Sequence, residues 1–253
     1  MRSRPALDGN GNKRRVFLQA AGAASFAALL ANLPFAAFAQ TGKYAKLKIG
    51  TVGSGRVGSA IGAAWVKAGH EVMFSSLDLE ADKKLAERLG AGARAGTPRE
   101  AAAFGTVLLV TVPYKALPGV GRDLGDLIKG KIIIDTSNPI VARDGEMAVA
   151  AREKGAGIAS QEFLPGARIV RAFNAIGAAR MAEAAGNSER IGMPIAADDA
   201  EAIRIASALI RDVGYEPVLV GTLAAMGKYL IPGTPLAGER SPEEIRRVAA
   251  TLN

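Results

Sequence analysis

The chain contains no cysteine and only one histidine among its 253 residues. Without cysteine there are no disulfides, no thiolate metal ligands and no cysteine nucleophile. A single histidine argues against histidine-based metal sites and against a Ser-His-Asp triad. We therefore expect no metal centre and no dedicated catalytic side chain, and any chemistry must proceed without a general-base histidine.

Long polar or low-complexity tracts are also missing. Hydrophobic residues make up 49% of the chain and charged residues 22%, which is the composition of a globular protein. This balance excludes an intrinsically disordered chain and a polytopic membrane protein. The 30 glycines follow no fixed period, so a collagen-like repeat is excluded as well.

Basic residues are in excess, but they form no cluster. The formal net charge is +8, and the first 39 residues contribute +4 of it, with five basic residues against one acid. The other lysines and arginines are dispersed, without a run of five. Nucleic-acid binding is indicated by basic stripes or patches, so we expect no nucleic-acid partner.

The first 39 residues follow the order of a secretory signal. Arg14-Arg15 precede an alanine-rich apolar stretch, and Ala37-Phe38-Ala39 places small residues before Gln40. The paired arginines followed by x-Phe-Leu resemble a twin-arginine (Tat) signal. We expect residues 1–39 to be a cleaved Tat-type signal peptide and the mature protein to be periplasmic.

Two other interpretations of this segment stay open. Residues 16–39 are long enough to span a bilayer, so an uncleaved signal would anchor the protein in the membrane. A start codon assigned too far upstream would instead leave a cytoplasmic protein. After cleavage we expect no stable membrane span.

The mature chain alternates short apolar runs with stretches of helical spacing. This alternation predicts an α/β fold, a doubly wound parallel sheet with helices on both faces. We expect a Rossmann NAD(P)-binding domain over residues 46–221, with a C-terminal loop and short helix over 222–253 completing it. The predicted strands are Leu47–Val52, Glu71–Phe74, Thr106–Val112, Lys131–Asp135, Arg168–Phe173, Arg190–Ala196 and Pro217–Val220.

Three helices carry clear signals at their ends. An apolar stripe from Val57 to Ala68 predicts a helix that Gly69 closes in the left-handed conformation. Asp198-Asp199 precede a helix over 200–211 and can cap it. A capping box at Ser241–Glu244, with proline at the first helical position, opens the last helix.

A glycine-rich motif carries the chemistry. The first strand leads directly into Gly53-Ser54-Gly55-Arg56-Val57-Gly58, and a helix follows. In this strand–loop–helix context the motif predicts dinucleotide binding. Gly53 permits the tight turn, Gly55 lets the backbone approach a pyrophosphate, and Gly58 lets the helix pack closely on the strand. The helix N-terminus supplies free N–H groups and positive potential.

The end of the second strand indicates the choice of coenzyme. Ser75 and Ser76 stand where an NAD enzyme has an acidic residue, and their hydroxyls can bind a 2′-phosphate. We therefore favour NADP, while NAD stays open because Leu77-Asp78 follow where an arginine is expected. Arg56, or Lys83 and Lys84, are candidates for the missing cation.

Three further loops follow strands at the edge where α/β sheets bind ligands. Val112-Pro113 follow the third predicted strand, Asn138 the fourth and Asn174 the fifth. The two amides can anchor a carboxamide or a flat heterocycle, although Asn138 before a proline is also a common turn residue. His70 lies at the opposite end of the sheet, and we interpret it as structural.

Together these residues resemble the F420-dependent NADP oxidoreductase family, whose members pass hydride between NADPH and the deazaflavin coenzyme F420. The resemblance spans residues 46–240. The nucleotide half alone would also suit pyrroline-5-carboxylate reductases. The matching segments are Lys48–Gly58, Gly69–Glu71, Val110–Tyr114, Gly130–Ile140, Leu164–Gly177, Pro194–Ala202 and Pro232–Gly238.

The resemblance implies a division of roles in a hydride-transfer site. Ser54, Arg56 and Val57 would contact the pyrophosphate, and Ser76 the 2′-phosphate. The Val112-Pro113 pair and the two asparagines would line the cleft for nicotinamide and for F420 or a flavin as second substrate. Leu77 departs from the family, which has an arginine at this position of a Gly-Ser-Arg signature.

Two other functions remain as alternatives to this small-molecule oxidoreductase. One is a sensor or carrier that binds NAD(P) without catalysis, and the other is a ferric reductase resembling STEAP-type metalloreductases. An apolar loop around Leu230-Ile231-Pro232 is a candidate interface for a homodimer.

Overall fold

The computed structural model describes residues 46–183 and 191–252, and the predicted signal segment lies outside them. One eight-stranded sheet forms the centre of the described chain. Its strands are β1 (Lys48–Val52), β2 (Glu71–Phe74), β3 (Ala93–Ala95), β4 (Val107–Val110), β5 (Ile132–Asp135), β6 (Arg168–Arg171), β7 (Gly192–Ala197) and β8 (Glu216–Gly221). Their order across the sheet is β3-β2-β1-β4-β5-β6-β7-β8.

Helices connect most of these strands and cover the sheet. They are α1 (Arg56–Ala68), α2 (Leu79–Leu89), α3 (Pro98–Phe104), α4 (Leu117–Ile128), α5 (Val141–Asp144), α6 (Glu146–Lys154), α7 (Ala156–Phe163), α8 (Ala178–Glu183), α9 (Ala200–Val213), α10 (Leu223–Met226) and α11 (Pro242–Ala250). Short 3₁₀ turns lie at Tyr114–Ala116 and Gly227–Tyr229. In residues 46–183 and 191–252, no helix combines the length and apolarity needed to cross a bilayer.

The predicted α/β Rossmann fold is confirmed, but its sheet is mostly rather than wholly parallel. β7 runs antiparallel to β6, pairing Arg171 with Ala196 and Val170 with Ala197. The chain therefore enters β7 at the same edge of the sheet at which it left β6. β7 is buried at every position, and a continuous apolar run indicates a strand covered on both faces without fixing its direction, so the expected parallel sheet is interrupted at this one pair.

The sequence analysis also missed β3. This strand is short, pairs only with β2 and reads Ala-Arg-Ala, with half-buried and exposed positions. An edge strand of this kind has no apolar run, because one side of it faces solvent.

The predicted helix ends are confirmed. Gly69 closes α1 with φ at 99°, and its N–H group donates to the carbonyl of Val66. Asp199 caps α9 by accepting the N–H of Ala202 at 2.7 Å. Ser241 and Glu244 form the reciprocal capping box at the start of α11.

The core is divided into two apolar clusters by the sheet. Trp65 of α1 lies fully buried in one of them and donates through Nε1 to the carbonyl of Leu209 in α9, at 2.8 Å. The segment after β8 contributes Leu230 and Leu236 to the other cluster.

The loop predicted as an interface packs partly against the chain itself. Leu230 and Ile231 are buried, whereas Pro232 is exposed. A homodimer formed through this loop stays a prediction, and Pro232 rather than the two buried side chains would be available for the contact.

His70 is a structural residue, as its position predicted. Its Nδ1 accepts the N–H of Leu47 at 3.1 Å, and its Nε2 lies 3.0 Å from Asp212 Oδ2. These contacts join the start of β1 to α9 at the end of the sheet opposite the strand carboxyl ends.

Candidate functional site

The glycine-rich loop is fastened to its neighbours at the carboxyl ends of the strands. Gly53 takes φ of 101°, and its N–H group donates to the carbonyl of Ser75 at 2.9 Å. Thr111 Oγ1 donates to the carbonyl of Gly53, also at 2.9 Å. A Cβ on Gly53 would come within 2.6 Å of the Thr111 carbonyl oxygen. Glycine is therefore required here by both conformation and space.

The other two glycines of the motif differ in what surrounds them. A Cβ on Gly58 would collide with the carbonyl oxygen of Gly53, so the close approach of α1 to the loop demands glycine. A Cβ on Gly55 would meet nothing within 4 Å, and the φ of −63° suits any residue. The protein's own packing therefore does not explain Gly55, whereas a ligand lying against the backbone does.

The start of α1 is suited to binding an anion. Gly55 is its N-cap and provides no side-chain acceptor for the first N–H groups. The first turn holds no acidic residue, and the exposed Arg56 begins it. The free N–H groups, the helix dipole and a guanidinium together suit a pyrophosphate.

The two serines after β2 have different surroundings. Ser75 is fully buried, and its hydroxyl donates to the carbonyl of Thr51 at 2.5 Å. Its N–H group also donates to Thr51 Oγ1, at 3.3 Å. The structure therefore corrects the expectation that Ser75 binds a 2′-phosphate, because its side chain ties β2 to β1.

Ser76 instead belongs to a cluster that the sequence analysis missed. Ser76 Oγ donates to Asp82 Oδ2 at 2.8 Å, and Ser54 Oγ donates to Asp82 Oδ1. Asp82 lies near the start of α2 and is only 2% exposed. No local pattern marks this residue, because an aspartate in the first turn of a helix is ordinarily solvated.

Leu77 is fully exposed beside this cluster and contributes no charge. Of the other cations considered for the coenzyme, Lys83 is exposed and pairs with Glu80 at 2.8 Å, one helical turn away. The hydrogen bond to Glu80 raises the pKa of Lys83, so this lysine stays charged at neutral pH.

A buried ion pair lies at the carboxyl ends of β5 and β6. Arg171 Nη1 lies 2.7 Å from Asp135 Oδ2, and both side chains are fully buried. Arg171 also donates to the carbonyls of Ser137, at 3.1 Å, and Leu230, at 3.1 Å. This one guanidinium therefore ties the loop after β5 to the C-terminal segment.

The two predicted asparagines are brought together above this ion pair. Asn138 Nδ2 donates to the carbonyl of Asn174 at 2.8 Å, and Asn174 Nδ2 donates to the carbonyl of Asp135 at 3.2 Å. Asn174 Oδ1 is buried and has no hydrogen-bond partner within the described chain. Phe173, just before it, holds φ of 61°, an uncommon conformation for a side chain of this size.

Val112 and Pro113 follow β4 beside the glycine-rich loop. Val112 is half-buried and Pro113 is exposed. Tyr114 is fully buried, and its hydroxyl donates to the carbonyl of Ala156 at 3.0 Å. Burial raises the pKa of this phenol to about 12, so Tyr114 stays protonated at neutral pH and serves as a fixed donor.

These features define the class of protein. A Rossmann sheet presents its glycine-rich loop, the end of β2 and two amide-bearing loops along a single edge. This is the arrangement of a dinucleotide-binding α/β protein, with the ligand outside the carboxyl ends of the strands. The roles assigned above to individual side chains at this edge stay predictions.

Comparison with known proteins identifies the family. The family model described as NADP oxidoreductase, coenzyme F420-dependent, matches residues 48–139. The F420-dependent NADP reductase of Methanothermobacter marburgensis is 31% identical over 173 residues, which cover 64% of this chain and 77% of that relative. The chain therefore belongs to the F420-dependent NADP oxidoreductase family.

Two further relatives agree with this assignment or with the fold. The F420-dependent NADP reductase of Methanothermobacter thermautotrophicus is 28% identical over 182 residues, covering 66% of this chain and 77% of the relative. The crystal structure of a hypothetical protein from Sinorhizobium meliloti superposes with a TM-score of 0.66 at 25% identity. That match covers 78% of this chain and 96% of the Sinorhizobium chain.

The glycines of the loop give a matched pair of substitutions. Gly55→Ala should lower the free energy of unfolding by less than about 1 kcal/mol, since its Cβ points into open space. It should weaken NADPH binding by at least about tenfold, equivalent to one charge-assisted hydrogen bond. Gly58→Ala should cost at least about 2 kcal/mol of stability through its backbone collision. Denaturant unfolding and NADPH titration measure both; unchanged NADPH affinity in Gly55→Ala would contradict this account.

The buried ion pair can be tested against an exposed one in the same strand. Arg171→Met leaves the Asp135 carboxylate buried without a cation and should lower the free energy of unfolding by about 3–5 kcal/mol. Arg168→Met removes a partly exposed pairing with Asp199 and Glu201 and should cost about 1 kcal/mol. Urea denaturation of both variants checks this order. Equal losses of unfolding free energy in the two variants would show that Arg171 does not stabilise the ligand edge more than Arg168 does.

Proposed function

We propose that this protein is an NADP-dependent oxidoreductase that transfers hydride between NADPH and a deazaflavin or flavin-like acceptor such as coenzyme F420. The single observation that carries the proposal is Gly55, whose missing side chain serves no packing need and leaves the backbone open to a pyrophosphate. Membership of the family supports the choice of reaction, because the two Methanothermobacter relatives are F420-dependent NADP reductases.

The nicotinamide and the acceptor would supply the redox chemistry, with two electrons moving together as hydride. The chain's own task is to bind and orient. The N–H groups at the start of α1 and the guanidinium of Arg56 would hold the pyrophosphate. Ser54 and Val57 lie in the same turn, and Ser76 lies at the ribose end of the site.

The amide-bearing loops would orient the reacting ring. Asn174 Oδ1 is a buried acceptor without a partner in the described residues, and a carboxamide N–H group would satisfy it. Asn138 is held against Asn174, so the two act as one rigid wall. Val112 and Pro113 would form the opposing wall and help to exclude water. Such orientation is the main contribution that a protein makes to hydride transfer.

This chemistry needs no titrating side chain at the reacting atoms. Tyr114, whose pKa burial raises to about 12, is engaged with the carbonyl of Ala156 and is fully buried. The proposal therefore assigns no catalytic acid or base. The coenzyme is NADP, with NAD as a second nucleotide that the same loop can accept.

Turnover with defined acceptors tests the proposed reaction. The purified full chain should oxidise NADPH when coenzyme F420 or FMN is added, followed as loss of absorbance at the nicotinamide band. Gly55→Ala is the control, because it should fold normally and lose activity with its nucleotide affinity. Tight NADPH binding without turnover on either acceptor or on a ferric chelate would favour the non-catalytic carrier. Turnover on the chelate alone would favour the ferric reductase.

We also propose that the protein is exported to the periplasm by the twin-arginine route. The support is the order of charged, apolar and small residues in positions 1–39, which lie outside the described residues. This route carries folded proteins, so the nucleotide could be bound before export.

Replacing the paired arginines tests the export. The double substitution Arg14→Lys with Arg15→Lys should leave unprocessed protein in the cytoplasm, measured by cell fractionation and by the mass of the chain. Arg2→Lys with Arg4→Lys conserves charge in the same way and should leave export unchanged. Normal processing of both double variants would contradict the proposal.

A further inference from the structure

Asp82 is a buried carboxylate at the end of the site that faces the adenosine ribose. It lies in α2, is 2% exposed, and accepts hydrogen bonds from Ser54 of the glycine-rich loop and Ser76 after β2. These two serines belong to different strand ends, and Asp82 is the group that joins them. Nothing else assigned to the site above explains why a carboxylate should be buried here.

The hydrogen-bond capacity of the two hydroxyls is limited by this carboxylate. A serine hydroxyl has one proton to donate and two lone pairs to accept with. Ser54 donates to Asp82 Oδ1, and Ser76 donates to Asp82 Oδ2 at 2.8 Å, while the carbonyl of Asp78 is a second, longer acceptor for Ser76 at 3.3 Å. Ser76 Oγ also accepts the N–H group of Asp78 at 3.1 Å. The two serines therefore offer a ligand hydrogen-bond acceptors rather than donors, and the carboxylate of Asp82 lies on their other side.

A 2′-phosphate and a 2′-hydroxyl meet this surface differently. The phosphate is an anion that only accepts, so it needs donors or a cation, and the side chain of the exposed Leu77 supplies neither. The ribose hydroxyl of NADH can donate to a serine lone pair. For either serine to turn its proton toward a phosphate, Asp82 must lose a hydrogen bond while remaining buried.

We propose that Asp82 is a specificity-determining residue that lowers the preference of this site for NADPH over NADH. It does so by committing the protons of Ser54 and Ser76 and by placing a carboxylate behind them. The assignment rests on the proposed function, since it concerns the nucleotide of the same site. It makes Asp82, rather than the serines alone, the residue that sets the choice of coenzyme.

The isosteric substitution Asp82→Asn is the primary test. It removes the charge and requires one of the two serines to accept from the new amide, which frees that serine's proton for a ligand. In the full chain, the ratio of NADPH affinity to NADH affinity should rise by about tenfold, measured by titration with each nucleotide. Titration with 2′,5′-ADP against 5′-ADP should show the same shift without the nicotinamide. Glu87→Gln, an exposed position on the same helix, removes an equal charge and should leave the ratio unchanged.

A second variant keeps the test independent of whether Asp82→Asn folds. Ser76→Ala should not lower the ratio, because the proton of Ser76 is already committed to Asp82 and the substitution removes only a lone pair that could accept the ribose hydroxyl of NADH. A selective loss of NADPH affinity in Ser76→Ala would overturn the assignment, since it would make this hydroxyl a phosphate donor.

The remaining outcomes separate this inference from the proposed function. If both nucleotides bind the starting chain and Asp82→Asn weakens them equally, Asp82 is merely structural and the inference is overturned. If the starting chain binds neither nucleotide, the proposed function fails and the inference fails with it. A raised ratio in Asp82→Asn, together with a ratio that does not fall in Ser76→Ala and is unchanged in Glu87→Gln, supports the assignment.

Discussion

The buried Arg171–Asp135 pair is the contact on which the ligand edge of this protein depends. Burying two charges is costly, and the cost is offset only where further hydrogen bonds complete the pair. Arg171 makes two of them, with the carbonyls of Ser137 and Leu230, while its buried Nε has no partner in the described residues. The loop after β5 and the C-terminal segment are therefore joined by one guanidinium. Two glycines lie beside it and allow close backbone packing: a Cβ on Gly157 would come within 2.8 Å of the Leu223 carbonyl oxygen, and one on Gly227 within 2.9 Å of Gly157 Cα. The pair therefore acts mainly as a positioning device for loops that carry little secondary structure.

The two halves of the edge are supported by different physics. The half proposed for the pyrophosphate depends on backbone, since close packing demands Gly53 and Gly58 while Gly55 has open space beside it. The half proposed for the nicotinamide depends on buried polar side chains, with Asn138 and Asn174 tied to each other above the ion pair. On the far side of the glycine-rich loop from the asparagines, Asp82 joins that loop to the end of β2. A preorganised edge of this kind suits a reaction in which the protein orients two bound rings.

Much of this could be predicted from local patterns, and the rest depended on contacts between distant residues. The predicted fold class, capped helices and glycine-rich turn are confirmed. Each depends on a pattern of residues close together in the sequence, such as the capping box at Ser241–Glu244. The direction of β7 could not be predicted, since a continuous apolar run does not fix the direction of a buried strand. Ser75 was predicted to bind a ligand, although its hydroxyl donates to the carbonyl of Thr51 on the adjacent strand β1. Arg171 and Asp82 were missed because a charged residue in a strand or helix is ordinarily solvated. For Arg171, the burial follows from the strand register, which sets it opposite Asp135.

The proposed function requires that one edge of the sheet holds a nicotinamide dinucleotide between the glycine-rich loop and the asparagine pair. A crystal structure of the protein grown with NADPH would show whether it does. The pyrophosphate should lie against the backbone of Gly55 at the start of α1, with the nicotinamide beside Asn138 and Asn174. A dinucleotide bound at any other surface, or its absence from this edge at saturating NADPH, would contradict the account.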